Sequence, residues 1–575
     1  MLFNSIEFAV FLPIVFLLYW FVFDYALRGC KRQLLWQNLF VVVASYIFYG
    51  WWDWRFLILI AITTLCSYLS GLLISYSSRA TICEDTISIG GGISSQSIKQ
   101  SCNNTEQPLS HHANQVSSTE EQQVSAHSKP IGHHSEQQPR PKKIQRLWRS
   151  PKLWLWLNIV LNLAILGTFK YYDFFASSFA HLFGLQADSL LLHLILPVGI
   201  SFYTFQALSY SIDVYRRQIT ATRDIVAFAA FLGFFPLLIA GPIERATNLL
   251  PQFQARRHFD YAQAVDGMRQ ILWGLFKKIV VADNCATYVD KVFADYASYS
   301  GSTLVLAAVL FTIQIYGDFS GYSDIALGTS KLFGIRAMRN FNVPYFSRDI
   351  AEFWRRWHIS LTTWFRDYVY IPLGGSRPTV PARVQNKEAY KRAVIVRNTF
   401  VIFLLSGFWH GANWTFVLWG AYHALLFMPL ILLGKNRRYR DTVATYTAAD
   451  GSTHCRLLPS WREAGQMVLT FALAAFGWIL FRADTIGDAF GYLAGIGNRT
   501  LLTVPFLVNR QFYIPLFCFI LLLFGVEWCN RTRGGVLTMT HIHNKAVRWL
   551  LYLGLIMIIA VFGEFEQVQF IYFQF

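Results

Sequence analysis

Charge is scarce in this 575-residue chain: Asp, Glu, Lys and Arg make up 14% of it, where soluble globular domains carry about 25%. The shortage falls mainly on the acids, with 33 Asp and Glu against 50 Lys and Arg, a formal net charge of +17. A chain this apolar and this basic does not read as a soluble enzyme, a DNA binder or a disordered protein. The eight cysteines form no CxxC pair and no zinc-like spacing, so neither a disulfide framework nor a cysteine-based metal site is expected. Walker loops, GxSxG elbows, HExxH motifs and dinucleotide fingerprints are also missing.

What the chain has instead is apolar and aromatic. It is 54% hydrophobic and 17% aromatic, with 19 Trp, and its mean hydropathy is +0.35. Tryptophans at that density suit bilayer interfaces. Apolar stretches recur at 6–23, 34–50, 56–77, 153–169, 190–208, 225–240, 271–282, 303–316, 393–408, 415–433, 466–480, 512–524 and 546–561. A spanning helix needs about 20 such residues and some stretches are shorter, which predicts roughly 11 spans plus re-entrant segments. Residues 1–5 lack a positive n-region and no small-residue cleavage site follows Phe23, so the first stretch reads as an anchor.

The basic residues cluster beside these stretches. Arg28, Lys31 and Arg32 follow the first; Arg140, Lys142, Lys143, Arg146, Arg149 and Lys152 precede the fourth; Arg216 and Arg217 follow the fifth; Lys435, Arg437, Arg438 and Arg440 follow 415–433. The positive-inside rule makes these loops cytoplasmic and puts the N-terminus outside. The excess charge is then topology, and no nucleic-acid partner is needed to explain it.

Two segments break the apolar pattern. Residues 80–146 contain no Phe, Tyr or Trp and are rich in Ser, Gln, Asn and His. Such a stretch cannot bury enough apolar area to offset the entropy of ordering, and it reads as a disordered cytoplasmic insertion. The chain therefore divides into N-terminal helices at 1–79, the insertion at 80–148 and a core at 149–575. The second segment, about 338–396, holds no span. In it Ile350, Phe353, Trp354, Trp357, Leu361, Trp364, Phe365 and Tyr368 follow helical spacing, within a stripe about 120° wide. Glu352, Arg355, Arg356, Arg366 and Asp367 take the opposite face, and His358 falls at the stripe's edge. This predicts a cytoplasmic amphipathic helix lying at or just inside the membrane surface.

Several polar residues interrupt apolar runs. The run 393–433 is too long for one span and is broken by Ser406-Gly407-Phe408-Trp409-His410-Gly411-Ala412-Asn413-Trp414. Ionisable groups at membrane depth are functional candidates, and an imidazole suits general-base work near pH 7. A helix-packing histidine fits the motif as well. For His423, flanked only by helix, packing is the better reading. At His358, aromatic walls and the neighbouring Arg355 and Arg356 could receive a phosphate-bearing acyl carrier arm, or the helix could simply touch lipid headgroups. Gly317-Asp318-Phe319-Ser320-Gly321-Tyr322-Ser323-Asp324 is expected to break a helix, with Asp318 or Asp324 as a cap and a cavity-lining role as the alternative. Phe235-Pro236 through Gly241-Pro242-Ile243-Glu244-Arg245 reads as a re-entrant turn or a site.

Taken together, these motifs resemble those of the membrane-bound O-acyltransferases, in the bacterial branch of alginate O-acetylation and its teichoic-acid D-alanylation relatives. The resemblance is carried by Met1-Leu2-Phe3-Asn4-Ser5 with Phe11-Leu12-Pro13, by Leu196-Pro197-Val198-Gly199-Ile200-Ser201-Phe202-Tyr203-Thr204-Phe205-Gln206, and by Ala240-Gly241-Pro242-Ile243-Glu244-Arg245. It continues in Asp318 to Asp324 and is strongest in Phe353-Trp354-Arg355-Arg356-Trp357-His358-Ile359-Ser360-Leu361 and Phe408-Trp409-His410-Gly411. It implies an all-α, multi-pass ring of helices around a central tunnel. It also implies His410 as hallmark catalytic residue, with His358 as second catalytic position orienting the donor or stabilising charge. A cytoplasmic thioester, acetyl-CoA or an acyl carrier, would be the donor substrate, with no bound cofactor or metal. Arg355, Arg356 and Trp354 are the donor-side candidates, and Asp318, Asp324 and Asn413 the further cavity candidates.

The expected function is acyl transfer, of acetyl, in the bacterial cytoplasmic membrane for O-acetylation of an exported polysaccharide, directly or through a periplasmic relay protein. The rival is a polytopic transporter or channel component with no chemistry of its own. The insertion matches nothing in the family pattern.

Overall fold

The computed structural model describes residues 1–89, 150–186, 188–447, 453–506, 510–532, 537, 542–565 and 570–571. These are mainly helical, and the strands among them form a two-stranded antiparallel ribbon, β1 (Thr445–Thr447) on β2 (Thr453–Cys455). Among the described residues nine helical segments are long and apolar enough to cross a membrane. The protein is thus a polytopic, all-helical membrane protein.

The N-terminal group is α1 (Ile6–Leu17), which continues in π-helical form to Ala26, then α2 (Gln33–Asp53) and α3 (Leu57–Ile89). The Asp53 carboxylate accepts the backbone N–H of Arg55 at 2.9 Å and caps a separate turn there. The apolar segment Gln33–Ser78 is therefore two helices. α3 also runs to Ile89, beyond the expected start of the insertion at residue 80, because a formed helix extends at the gain of one hydrogen bond per residue. The rest of the insertion, with its histidines, lies outside the described residues.

The core begins with α4 (Pro151–Leu166), π-helical Gly167–Tyr171 and α5 (Tyr172–Phe183). It continues with α6 (Ile200–Tyr215), α7 (Ile225–Gly233), one helical turn at Phe235–Leu238 and α8 (Ala246–Gln254). Then come α9 (Tyr261–Leu275), π-helical Phe276–Ala282, α10 (Asp283–Ala294) and α11 (Gly301–Leu332). The apolar stretches at 190–208, 225–240 and 271–282 do not become spans of their own. α6 and α7 have 16 and 9 residues, too short for a hydrocarbon core about 30 Å thick, and 271–282 lies inside the unbroken helical run 261–294, which carries the buried charges Lys277, Lys278 and Asp283. Their apolar side chains are buried against other helices, so their hydropathy reflects a protein interior.

α9 and α11 meet along a glycine seam. A Cβ on Gly267 would come within 2.6 Å of the Gly328 carbonyl oxygen, and one on Gly274 within 2.6 Å of that of Gly321. Backbones approach this closely only where side chains are absent. The expected helix break at Asp318 to Asp324 does not occur, since α11 is continuous through both residues, and neither caps a helix. Asp318 and Asp283 both pair with Lys278 at 2.7 Å, and Asp324 pairs with Lys277 at 2.5 Å. Cations from the π-helical segment thus neutralise the two carboxylates, and the backbone has no need to leave the helix.

The amphipathic segment departs furthest from expectation. It is not one interfacial helix but two short ones, α12 (Ile350–Arg356) and α13 (Ile359–Phe365), followed by π-helical Arg366–Tyr370. The break falls on His358, whose backbone is left-handed (φ 42°, ψ 55°). Nor is its polar face simply solvated. Glu352 is buried and accepts from Arg348 at 3.1 Å and Arg356 at 2.7 Å. The segment is packed into the protein because its charges find partners there.

The C-terminal part comprises α14 (Lys387–His410), α15 (Trp414–Leu432), α16 (Trp461–Arg482), α17 (Ile486–Ile496), α18 (Arg510–Asn530) and α19 (Lys545–Phe562). α11 is the central helix, with 83% of its most apolar window buried, against 6% for the peripheral α19.

Candidate active site

The long apolar run folds as α14 and α15 joined by a tight turn, and the turn is made possible by glycines. A Cβ at Gly407 would lie 2.1 Å from the Phe416 carbonyl oxygen, and one at Gly420 2.3 Å from that of Phe403. The two helices therefore touch backbone to backbone. α14 ends on His410, which is buried with Trp409 at 5.0 Å, Trp419 at 5.3 Å and Phe481 at 5.3 Å between ring centroids.

His358 is brought to the same place from the other side. Its ring lies 6.4 Å from that of His410, with Phe319 at 4.7 Å and Trp409 at 5.8 Å. Its strained backbone is held by Asn340, whose carbonyl accepts the Ile359 N–H at 2.9 Å and whose side-chain oxygen accepts the Ser360 hydroxyl at 2.8 Å. A left-handed backbone at a non-glycine residue is costly and tends to be kept at functional sites. Burial pushes the His358 pKa down to about 3, so its ring is neutral near pH 7.

Two cavities are lined in part by α14 and by the turn that follows it. The first, about 510 Å³, is lined by Trp354, Arg355, Arg366, Phe403, Ser406 and Arg437 among others. The second, about 590 Å³, is lined by Lys170, Asp173, Asn413, Phe481, Arg482 and Asp484 among others. Ser406, one turn before His410, faces the first; Ala412 and Asn413, just after it, face the second, as does Phe481. His410 therefore lies, along the chain, between residues that line the two chambers, while its own ring lines neither.

A family model described as MBOAT, the membrane-bound O-acyltransferase family, matches residues 152–449. The chain belongs to that family. A probable alginate O-acetylase AlgI of Pseudomonas aeruginosa is 35% identical over 453 residues, 78% of this chain and 68% of the relative. A peptidoglycan O-acetyltransferase of Helicobacter pylori is 34% identical over 60% of this chain and 64% of its own length. A teichoic acid D-alanyltransferase of Bacillus subtilis is 28% identical over 50% of this chain and 69% of its own. The protein is accordingly a membrane-bound O-acyltransferase, and the non-catalytic rival gives way. The matched range includes both His358 and His410.

Within this MBOAT core the remaining candidates are distributed unevenly. Trp354 and Arg355 line the first chamber, although the Arg355 guanidinium already donates to the carbonyls of Asn436 at 2.6 Å and Tyr439 at 2.5 Å. Arg356 does not join them, because its guanidinium turns to buried Glu352. Arg366 and Arg437 stand on the chamber wall instead. Asn413 caps α15, accepting the Thr415 N–H at 3.1 Å, and donates to the Asp484 carbonyl at 2.8 Å. Asp324 lines a separate polar cavity of about 170 Å³ with Lys277, Tyr316, Ser320 and Glu527, and Asp318 is enclosed by Lys278 and the Ile571 N–H. His423 is buried between Trp354 at 5.0 Å and Trp419 at 4.8 Å. Sequence reasoning passed over Lys170, Asn340 and Phe481. Of these only Lys170 carries a signal, as an isolated cation at the end of an apolar run.

Proposed function

We propose that this acyltransferase takes an acetyl group from a cytoplasmic thioester, acetyl-CoA or an acyl carrier. It passes the group across the membrane to a hydroxyl of an exported polysaccharide, or of a periplasmic protein that relays it there. The observation carrying this reading is the buried His410–His358 pair, 6.4 Å between ring centroids, with residues adjoining His410 in the chain lining two chambers. In this reading the first chamber is the donor side. Its guanidinium groups, Arg355, Arg366 and Arg437, suit the phosphates of such a donor, and its Trp354 and Phe403 walls suit the arm bearing the thioester. The second chamber, with Asp173, Asn413 and Asp484, suits a polar, hydroxylated acceptor. The names of the relatives support the acceptor class, since alginate, peptidoglycan and teichoic acid are polymers that carry hydroxyls.

The chemistry then needs one proton shuttle. His410 takes the acceptor's hydroxyl proton as the oxygen attacks the thioester carbonyl carbon. The tetrahedral adduct collapses, the C–S bond breaks, and His410 passes its proton to the departing sulfur, which leaves as the free thiol and restores the neutral imidazole. His358, neutral and facing the same space, orients the thioester and donates to the developing oxyanion. The basic clusters at 28–32, 140–152 and 435–440 support a bacterial cytoplasmic-membrane setting with the N-terminus outside.

The test is turnover of a labelled acetyl thioester by the purified enzyme in vesicles, with a soluble hydroxylated glycan as acceptor. His410→Ala is expected to lose at least about 10³-fold in transfer, within the range for general acid–base groups, while keeping wild-type membrane levels. Wild-type turnover by that variant overturns the reading.

A further inference from the structure

We infer that Lys170 and Tyr171 form a clamp that positions His410, with Lys170 as its main positioning residue. The inference rests on the reading of His410 as the acid–base group. A helix leaves its last carbonyls without intrahelical partners, and a common remedy is a left-handed residue just beyond the end. α14 does not use it: Gly411 is extended, with φ −164° and ψ 156°. The carbonyls are taken instead by two neighbouring side chains. The Tyr171 hydroxyl donates to Phe408 at 3.1 Å, and the Lys170 ammonium donates to Trp409 at 2.8 Å and to His410 at 2.9 Å. Three consecutive carbonyls, ending on His410 itself, are thus held from one place.

The local structure around the clamp fits the role. Lys170 and Tyr171 lie in the π-helical piece Gly167–Tyr171, and such irregular turns recur at functional sites. The Tyr171 ring stacks on Phe408 at 4.3 Å, and the ammonium lies 5.9 Å from the Trp409 ring centroid. No carboxylate pairs with Lys170 among the described residues, so its charge is compensated chiefly by the helix end, where a cation is favoured. Helix termini fray unless pinned. Here the terminal residue carries the imidazole, so the clamp fixes the ring relative to His358. An ammonium has three donors and two are committed; Lys170 also lines the second chamber. An acceptor oxygen arriving there meets the same group that holds His410.

The test compares Lys170→Met, Lys170→Arg and Tyr171→Phe with wild type and His410→Ala in the vesicle assay, separating kcat from the donor KM. Lys170→Met is expected to lower kcat about 10²-fold, the cost of displacing a reacting group by about 1 Å, with the donor KM unchanged within twofold. Lys170→Arg, which keeps a cation at the helix end, should recover at least tenfold of that loss. Tyr171→Phe keeps the stacked ring and folds even if Lys170→Met does not; removing one hydrogen bond should cost it about fivefold in kcat. Wild-type kcat in Lys170→Met, or in Tyr171→Phe where Lys170→Met cannot be purified, overturns the clamp. So does a loss that appears in the donor KM rather than in kcat. Full activity in His410→Ala overturns the acid–base reading instead, and the two failures are thereby distinguished.

Discussion

The two histidines of the site are held by different means. His410 ends a long apolar helix whose neighbour is packed against it through glycines, with Gly407 and Gly420 set against opposing carbonyls. Its surroundings are aromatic rings. His358 sits between two short helices in a left-handed backbone, and polar bonds from Asn340 hold it there. Behind it lie the buried Arg348–Glu352–Arg356 ion pairs. Apolar close packing permits only small displacements of His410. The polar frame stores backbone strain and can orient one ring where no regular helix would put it. The same residue type is thus placed once by close packing, with Lys170 and Tyr171 holding the helix end, and once by a polar frame around a strained backbone.

Parallel Ala and Gly substitutions at the two positions give the sharpest way to break this comparison. His358→Ala and His358→Gly both lose the ring, and transfer should fall about 10²–10³-fold in each, the usual cost of removing an oxyanion donor. Their stabilities should differ, because a left-handed backbone penalises Ala by about 1–2 kcal/mol and leaves Gly unstrained. At His410, in helix, the order reverses and Gly is the less stable by up to about 1 kcal/mol. Thermal unfolding of the four purified variants checks both orders. The same order at both sites would mean that the strain at His358 is not relieved by glycine.

A smaller effect is expected from the glycine packing. In Gly407→Ala the new Cβ would lie 2.1 Å from the Phe416 carbonyl oxygen, so α14 and α15 must separate. Overpacking of this kind costs about 1–3 kcal/mol, and a shift of His410 by about 1 Å lowers transfer about 10²-fold. Activity and melting temperature measured together test this, and an unperturbed variant would show that the helix pair has slack that its geometry denies.

The same contrast explains what could be read from the sequence. The α14–α15 turn is legible because its signal is local: an apolar run too long for one span, interrupted by Gly411 and Asn413. The number of spans is less legible, since apolar α6 and α7 are buried by protein rather than lipid and hydropathy does not separate the two. The break at His358 is invisible in an unbroken amphipathic stripe, because bonds from Asn340, distant in sequence, create it. Asp318 and Asp324 read as caps for the same reason: their partners Lys278 and Lys277 lie some forty residues away. Lys170 could have been picked out from its isolation in apolar sequence, but what it holds could not.

The remaining effect concerns the polar frame, leaves the reacting groups in place and is read from pH. Glu244 is buried beneath the loop that carries Asn340, accepting the Met338 N–H and, at 2.8 Å, an N–H of Asn248. Burial raises its pKa to about 7 from an ordinary 4.5, more than these bonds and Arg245 lower it. Between those values the folded protein binds more protons than the unfolded chain, so stability falls as pH rises. The contribution is complete below about pH 4.5 and lost above about pH 7, and it amounts to about 3 kcal/mol at most. Glu244→Gln keeps an acceptor for Met338 without titrating, and its stability should vary less between pH 5 and 8 than that of wild type. Gly407→Ala removes no titrating group, so it should keep the wild-type pH slope while Glu244→Gln flattens it. Equal slopes in wild type and Glu244→Gln would remove Glu244 from the frame and leave the loop resting on Asn340 and Ser360.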